Sequence, residues 1–289
     1  MKPLQGKVAL VAGATRGAGR AIALALGEAG ATVYCTGRSV KGSPSDIGRT
    51  ETIDETAELI VARGGVAYAV RTDHTSEADV KALFERVAAE QDGKLDILVN
   101  DIWGGEKLTE WGVPFWEHSL SKGLTMLERA IDTHLITSHY AAPLMVKRGS
   151  GLIVEITDGH DYRYRGSLFY SLSKVSVIHL AEGMAADLRP HGVHALVATP
   201  GFLRSEEMLD HFGVTEANWR DAIAQDPHFA QSETPHYLAR GLAALAADPQ
   251  LADKSGKAFT SWGLSDEYGI VDVDGNQPHW GNYAAKMGF

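Results

Sequence analysis

At 289 residues with 44% hydrophobic content, the chain can hold one large α/β domain or two small ones around a sizeable core. A formal net charge of -10 argues against nucleic acid or an anionic membrane as the main partner, and a single cysteine, Cys35, excludes a disulfide framework or a cysteine metal site. The first residues show no signal peptide and no apolar run is long enough to span a bilayer, so a soluble, cytoplasmic protein is expected.

Residues 8–12 are an apolar run, the pattern of a strand buried on both faces. Gly13-Ala14-Thr15-Arg16-Gly17-Ala18-Gly19 follows, then a helical stretch over 20–29 closed by Gly30, then a second strand over 31–35. In such a unit the glycines let the backbone approach a pyrophosphate, and the helix N-terminus offers free N–H groups and a partial positive charge. The spacing is Gly-x-x-x-Gly-x-Gly, not the usual Gly-x-Gly-x-x-Gly. The second strand runs into Thr36-Gly37-Arg38-Ser39, without the acid that an NAD site places on the ribose 2′-hydroxyl. Arg38 and Arg16 can clamp a 2′-phosphate, so NADP(H) is favoured over NAD(H). Thr15 and Ser39, in the same two turns, join Gly13, Arg16, Gly17, Gly19 and Arg38 as candidate cofactor-binding residues.

Residues 40–49 read as a polar loop, 51–63 as a helix stopped by Gly64-Gly65, and 66–70 as a third strand. Asp73 follows, either meeting an adenine edge or forming a turn. Ser76 caps a helix with acids in its first turn that reaches about residue 90, and a fourth strand over 95–99 ends in Asn100. Strands alternating with helices imply a parallel sheet covered on both faces, with ligands at the carboxyl ends of the strands.

Over 101–122 the pattern breaks. Trp103, Trp111, Phe115 and Trp116 fall among glycines and a proline, as a substrate-pocket wall or a small satellite core. A helix over 124–146 sets Leu124, Leu127, Ile131 and Leu135 on one face. A fifth strand, 152–156, leads into Thr157-Asp158-Gly159-His160 and then a helix over 170–188. In that helix Tyr170 and Lys174 lie one turn apart, where an ammonium would lower the phenol's pKa and suit it to proton transfer. A sixth strand, 193–198, is followed by Thr199-Pro200-Gly201. Short amphipathic helices over 205–225, with Met208, Leu209, Phe212 and Trp219, make the segment 202–233 a candidate lid. Pro235 opens a helix to 247, and 257–261 is a last strand. The tail, 269–289, has no assignment; the whole, 1–289, reads as one domain. The histidines show no metal-ligand spacing.

Taken in order, these motifs resemble the short-chain dehydrogenase/reductase family in its compact single-domain form, over about residues 6–261. The first half and Leu188-Arg189-Pro190-His191-Gly192-Val193 are similar to the branch of dehydrogenase/reductase family member one. The resemblance implies a doubly wound Rossmann-type α/β fold with Gly13, Gly17 and Gly19 in the phosphate turn, although Ala12 stands where a Thr is usual. It makes Asn100 the first Asn of the family's Asn-Asn-Ala-Gly, from which Asp101-Ile102-Trp103 depart. Tyr170 and Lys174 match the catalytic pair, and Pro200, Gly201 and Ser205 match the segment near the nicotinamide. The family's substrate-polarising Ser falls on Thr157 or Asp158; Thr157 keeps a hydroxyl and is the expected choice, since Asp158 would have to stay protonated to donate. His134 stands where the family has an Asn holding a relay water, and is expected to relay a proton itself. The implied activity is NADPH-dependent reduction of an apolar or aromatic carbonyl compound, or the reverse. The implied assembly is a homodimer or homotetramer through the helices of Leu124 and Tyr170. The altered positions leave two other readings: a non-catalytic NADP-binding sensor or scaffold, and a dehydratase or isomerase on the same fold.

Overall fold

The computed structural model describes residues 2–43, 45 and 48–288; residues 44, 46 and 47 of the expected polar loop lie outside the described residues. The apolar runs form β1 (Val8–Ala12), β2 (Thr32–Gly37), β3 (Val66–Arg71), β4 (Ile97–Asn100), β5 (Gly151–Ile156), β6 (Val193–Thr199) and β7 (Ala258–Thr260). They make one seven-stranded sheet in the order β3-β2-β1-β4-β5-β6-β7, and every pairing is parallel. The order reverses between β1 and β4, which opens a crevice at their carboxyl ends.

Parallel strands need crossovers, and the helices supply them: α1 (Gly17–Glu28), α2 (Ile53–Ala62), α3 (Glu77–Glu90), α4 (Leu120–Leu127), α5 (Thr133–Arg148) and α6 (Leu168–Leu188). Then come α7 (Glu206–Phe212), α8 (Pro235–Ala246), α9 (Leu251–Lys254), α10 (Ser261–Tyr268) and α11 (Trp280–Met287). On one face Ile22 and Leu26 of α1 and Leu238 and Leu242 of α8 pack on Ala9, Val11 and Val33. On the other, Leu83 and Phe84 of α3, Met145 of α5 and Ala185 of α6 pack on Leu10, Leu98 and Ile153. Ser76 caps α3 by accepting the Asp79 N–H. Among the described residues no helix is long and apolar enough to cross a membrane.

Three local features differ from the sequence reading. The helix over 124–146 is two helices joined by a π-helical turn, Glu128–Asp132. Its leucine stripe is not buried within the chain: Leu124 is 54% and Leu135 52% exposed, and the inward face belongs to Gly123, Met126, Ala130 and Thr137. The tail, which had no assignment, carries the helix α11.

Candidate active site

Why the crevice can take an extended anionic ligand follows from the first turn. Gly13 has φ +89°, and a Cβ there would overlap the Asp101 carbonyl; a Cβ on Gly19 would overlap the Gly13 carbonyl. Both glycines let the turn close onto the end of β4. The N-terminus of α1 then opens into a cavity of about 770 Å³. Beyond β2 and β3 its walls are Arg38, Ser39, Thr72 and Asp73; beyond β1, Gly13, Thr15, Arg16 and Gly17. Beyond β5 they are Thr157, Asp158, Tyr170 and Lys174, with Pro200, Gly201 and Ser205 after β6. This cradle of backbone N–H groups and guanidinium side chains fits a dinucleotide's phosphates. Gly19 supports the turn from behind. Asn100 does not line the cavity: its amide donates to Glu155 Oε1 (2.8 Å) and Ser138 Oγ (2.9 Å).

The phosphate-type donors face acids of the chain itself. The Gly17 N–H donates to Glu206 Oε2 of α7 (2.9 Å), and Arg16 pairs with Glu106 (2.8 Å). Ser205 caps α7 by accepting the Met208 N–H (3.3 Å). Asp73 makes a turn, accepting the Thr75 N–H and hydroxyl at 3.0 and 2.7 Å, while still lining the cavity.

At the reactive end, Tyr170 and Lys174 share a face of α6 as expected, but their surroundings differ. The Tyr170 hydroxyl donates to Asp158 Oδ2 at 2.9 Å. Burial, and then the Asp158 charge, push this phenol's pKa up rather than down. The Lys174 ammonium lies 3.7 Å from the Trp103 ring centroid, farther from Tyr170, and burial lowers its pKa. Thr157 does not offer the expected proton: its hydroxyl donates to the Lys174 carbonyl at 2.8 Å. His134 is not a cavity group either. Its Nδ1 meets Glu155 Oε2 at 2.5 Å and its Nε2 meets the Ile102 carbonyl at 3.0 Å. Two acceptors suit a ring with protons on both nitrogens. Burial, the largest single influence, opposes a cation there, but the Glu155 charge, its hydrogen bond and the Ile102 carbonyl together outweigh it and the His134 pKa is raised. Burial pushes Asp101, beside the Gly19 N–H, up to about 7.

The aromatic loop divides. Trp103 lines the cavity and Trp111 packs 5.0 Å from the Tyr170 ring, whereas Phe115 and Trp116 pack on each other, 58% and 72% exposed. In the lid segment Phe202, Leu203 and Met208 line the cavity, while Trp219 and Phe229 build a small core with Val214 and Ala222. Sequence reasoning missed Trp280 of α11, which lines the cavity and packs edge-on to Phe202 (5.7 Å). It also missed Glu106, Glu206 and Glu155. Only Glu155 had a local signal, as an acid inside the apolar run Leu-Ile-Val-Glu-Ile.

Comparison with known proteins agrees with this fold. The family model for short chain dehydrogenase matches residues 7–213. The mouse (Mus musculus) dehydrogenase/reductase SDR family member 1 is 36% identical over 277 residues, covering 94% of this chain and 85% of the relative. A crystal structure of a hydroxysteroid dehydrogenase from Escherichia coli superposes with a TM-score of 0.70 at 26% identity, covering 89% of this chain and 95% of that one. A 7α-hydroxysteroid dehydrogenase complexed with NADH and 7-oxo glycochenodeoxycholic acid superposes with a TM-score of 0.72 at 25% identity, covering 95% and 96%.

Proposed function

The chain belongs to the short-chain dehydrogenase family of NAD(P)-dependent oxidoreductases, and from that membership we propose that it reduces a carbonyl of an apolar small molecule with NADPH, or runs the reverse oxidation. The observation that carries this reading is the meeting, in one cavity, of the glycine turn with Tyr170 and Lys174. The bound dinucleotide would supply or take the hydride. Gly13, Thr15, Gly17 and the start of α1 would hold its diphosphate, with Arg38, Arg16 and Ser39 at the adenosine phosphate. Tyr170 would give its proton to the substrate oxygen, and Lys174 would hold the nicotinamide ribose. Trp103, Phe202, Met208 and Trp280 give the substrate end an apolar wall. The absence of an acid after β2, with Arg38 there instead, supports NADP(H) over NAD(H). The test is oxidation of NADPH and NADH by the purified protein with a panel of aromatic and aliphatic ketones and aldehydes. Turnover with neither nucleotide, although one binds, would overturn the enzymatic reading.

Two further outcomes are expected. Glu206→Gln removes a charge that holds the Gly17 N–H and would repel a phosphate, so the NADPH Kd should fall by roughly 3- to 10-fold. Fluorescence titration checks this, and an unchanged or weaker affinity would remove Glu206 from the account. Leu120, Leu124 and Leu135, all more than half exposed, supply an apolar face for a second copy of the chain. Leu124→Glu is expected to shift the protein to monomer in light scattering; a wild type that is already monomeric would refute this surface.

A further inference from the structure

Tyr170 loses or gains a proton in every turnover under the proposed function, so it needs a route to water. One way leads along α6 to Lys174, whose ammonium lies under the Trp103 ring. Beyond it His134 has both nitrogens engaged, by Glu155 and the Ile102 carbonyl, and does not face the cavity. The other way is short. The Tyr170 hydroxyl touches Asp158 Oδ2 at 2.9 Å, and the Asp158 side chain is 49% exposed. A hydroxyl at this position could donate to a substrate; a carboxylate accepts, and so can take up a proton and pass it on.

We propose that Asp158 is the proton-transfer partner of Tyr170, linking the phenol to solvent. The proposal rests on the oxidoreductase reading of the same site. In reduction the substrate oxygen takes the Tyr170 proton and leaves a phenolate. The Asp158 carboxylate binds a proton from water and gives it to the phenolate oxygen. Tyr170–OH and the Asp158 carboxylate are both restored, and the net uptake is one proton from solvent. Oxidation runs the same transfers backwards. The charges around Asp158 fit this duty. Arg165 Nη1 stands 3.7 Å from Oδ1, and Arg165 also reaches Asp161. Lys174 on α6 adds a second positive charge; Asp101 and Glu106, in the loop after β4, act on that lysine as well. Thr157 cannot substitute, because its proton is committed to the Lys174 carbonyl.

The test uses Asp158→Asn, which keeps the shape, and Asp158→Ala, which leaves room for a small acid. With a carbonyl compound that the wild type reduces, both variants are expected to lose about 10²-fold in kcat, in the lower range for one acid–base group. NADPH affinity should hold within about twofold, because cofactor-binding groups are untouched. Sodium formate should restore much of the Asp158→Ala rate in proportion to the formic acid present. A second readout needs no turnover: the phenolate absorbance of Tyr170, taken as the difference from Tyr170→Phe, should titrate at lower pH in Asp158→Asn. An unchanged kcat–pH profile without formate rescue, or a Tyr170 titration that Asp158→Asn does not move, overturns the proposal. Failure of the underlying reading looks different: Tyr170→Phe would then turn over like the wild type.

Discussion

Replacing Tyr170 by phenylalanine is expected to lower kcat by about 10²- to 10⁴-fold while leaving dinucleotide binding nearly unchanged. The substitution removes one oxygen from a ring that keeps its packing against Trp103 (5.7 Å) and Trp111 (5.0 Å), so the cavity should survive. What is lost is the acid itself. Burial and the adjacent Asp158 push the phenol up, so Tyr170 stays protonated across the neutral range, the form a reductase needs. The same environment makes it a reluctant base, and oxidation should therefore gain with rising pH more steeply than reduction falls. Steady-state rates and nucleotide fluorescence on the same preparation separate the two effects. Equal turnover in the variant would remove Tyr170 from the chemistry.

The second large effect is expected from Arg38→Ala. Arg38 lines the cavity beyond β2, next to Gly37 and Ser39, where the strand ends without an acid. A charge-assisted bond to a 2′-phosphate contributes about 1.5–3 kcal/mol, so the NADPH Kd should rise by roughly 10- to 100-fold. NADH lacks that phosphate and should bind within about twofold of wild type. The difference should narrow with added salt, because the contact lies in an open crevice. Parallel weakening of both nucleotides would mean that Arg38 shapes the turn rather than reads the phosphate.

Most of the fold was legible because local pattern and global topology agree. Short apolar runs alternating with helical stretches point to a parallel sheet, and the cap at Ser76 and the proline at Pro235 mark helix starts. The all-parallel sheet and the family follow from that agreement. The site was legible where it depends on chain neighbours: Tyr170 and Lys174 are one turn apart in any helix. It was illegible where it depends on which loops meet. Nothing near Asp158 in sequence shows that Tyr170 will reach it rather than Thr157, since the choice turns on where the Lys174 carbonyl falls. Nothing near Glu206 announces the start of α1, 189 residues away. His134 looked like a relay from its place in the family pattern, whereas the buried Glu155 that claims it is contributed by another element.

One wall of the cavity comes from the last helix. Trp280 reaches it from α11, while the sheet and its glycine turn are complete without that segment. Under the proposed function, one part of the substrate wall is thus set by a stretch of chain apart from the glycine turn. Under that reading, exchanging residues 276–288 between related proteins should change which carbonyl compounds are accepted while leaving nucleotide affinity nearly unchanged, so substrate range could shift without rebuilding the nucleotide cradle.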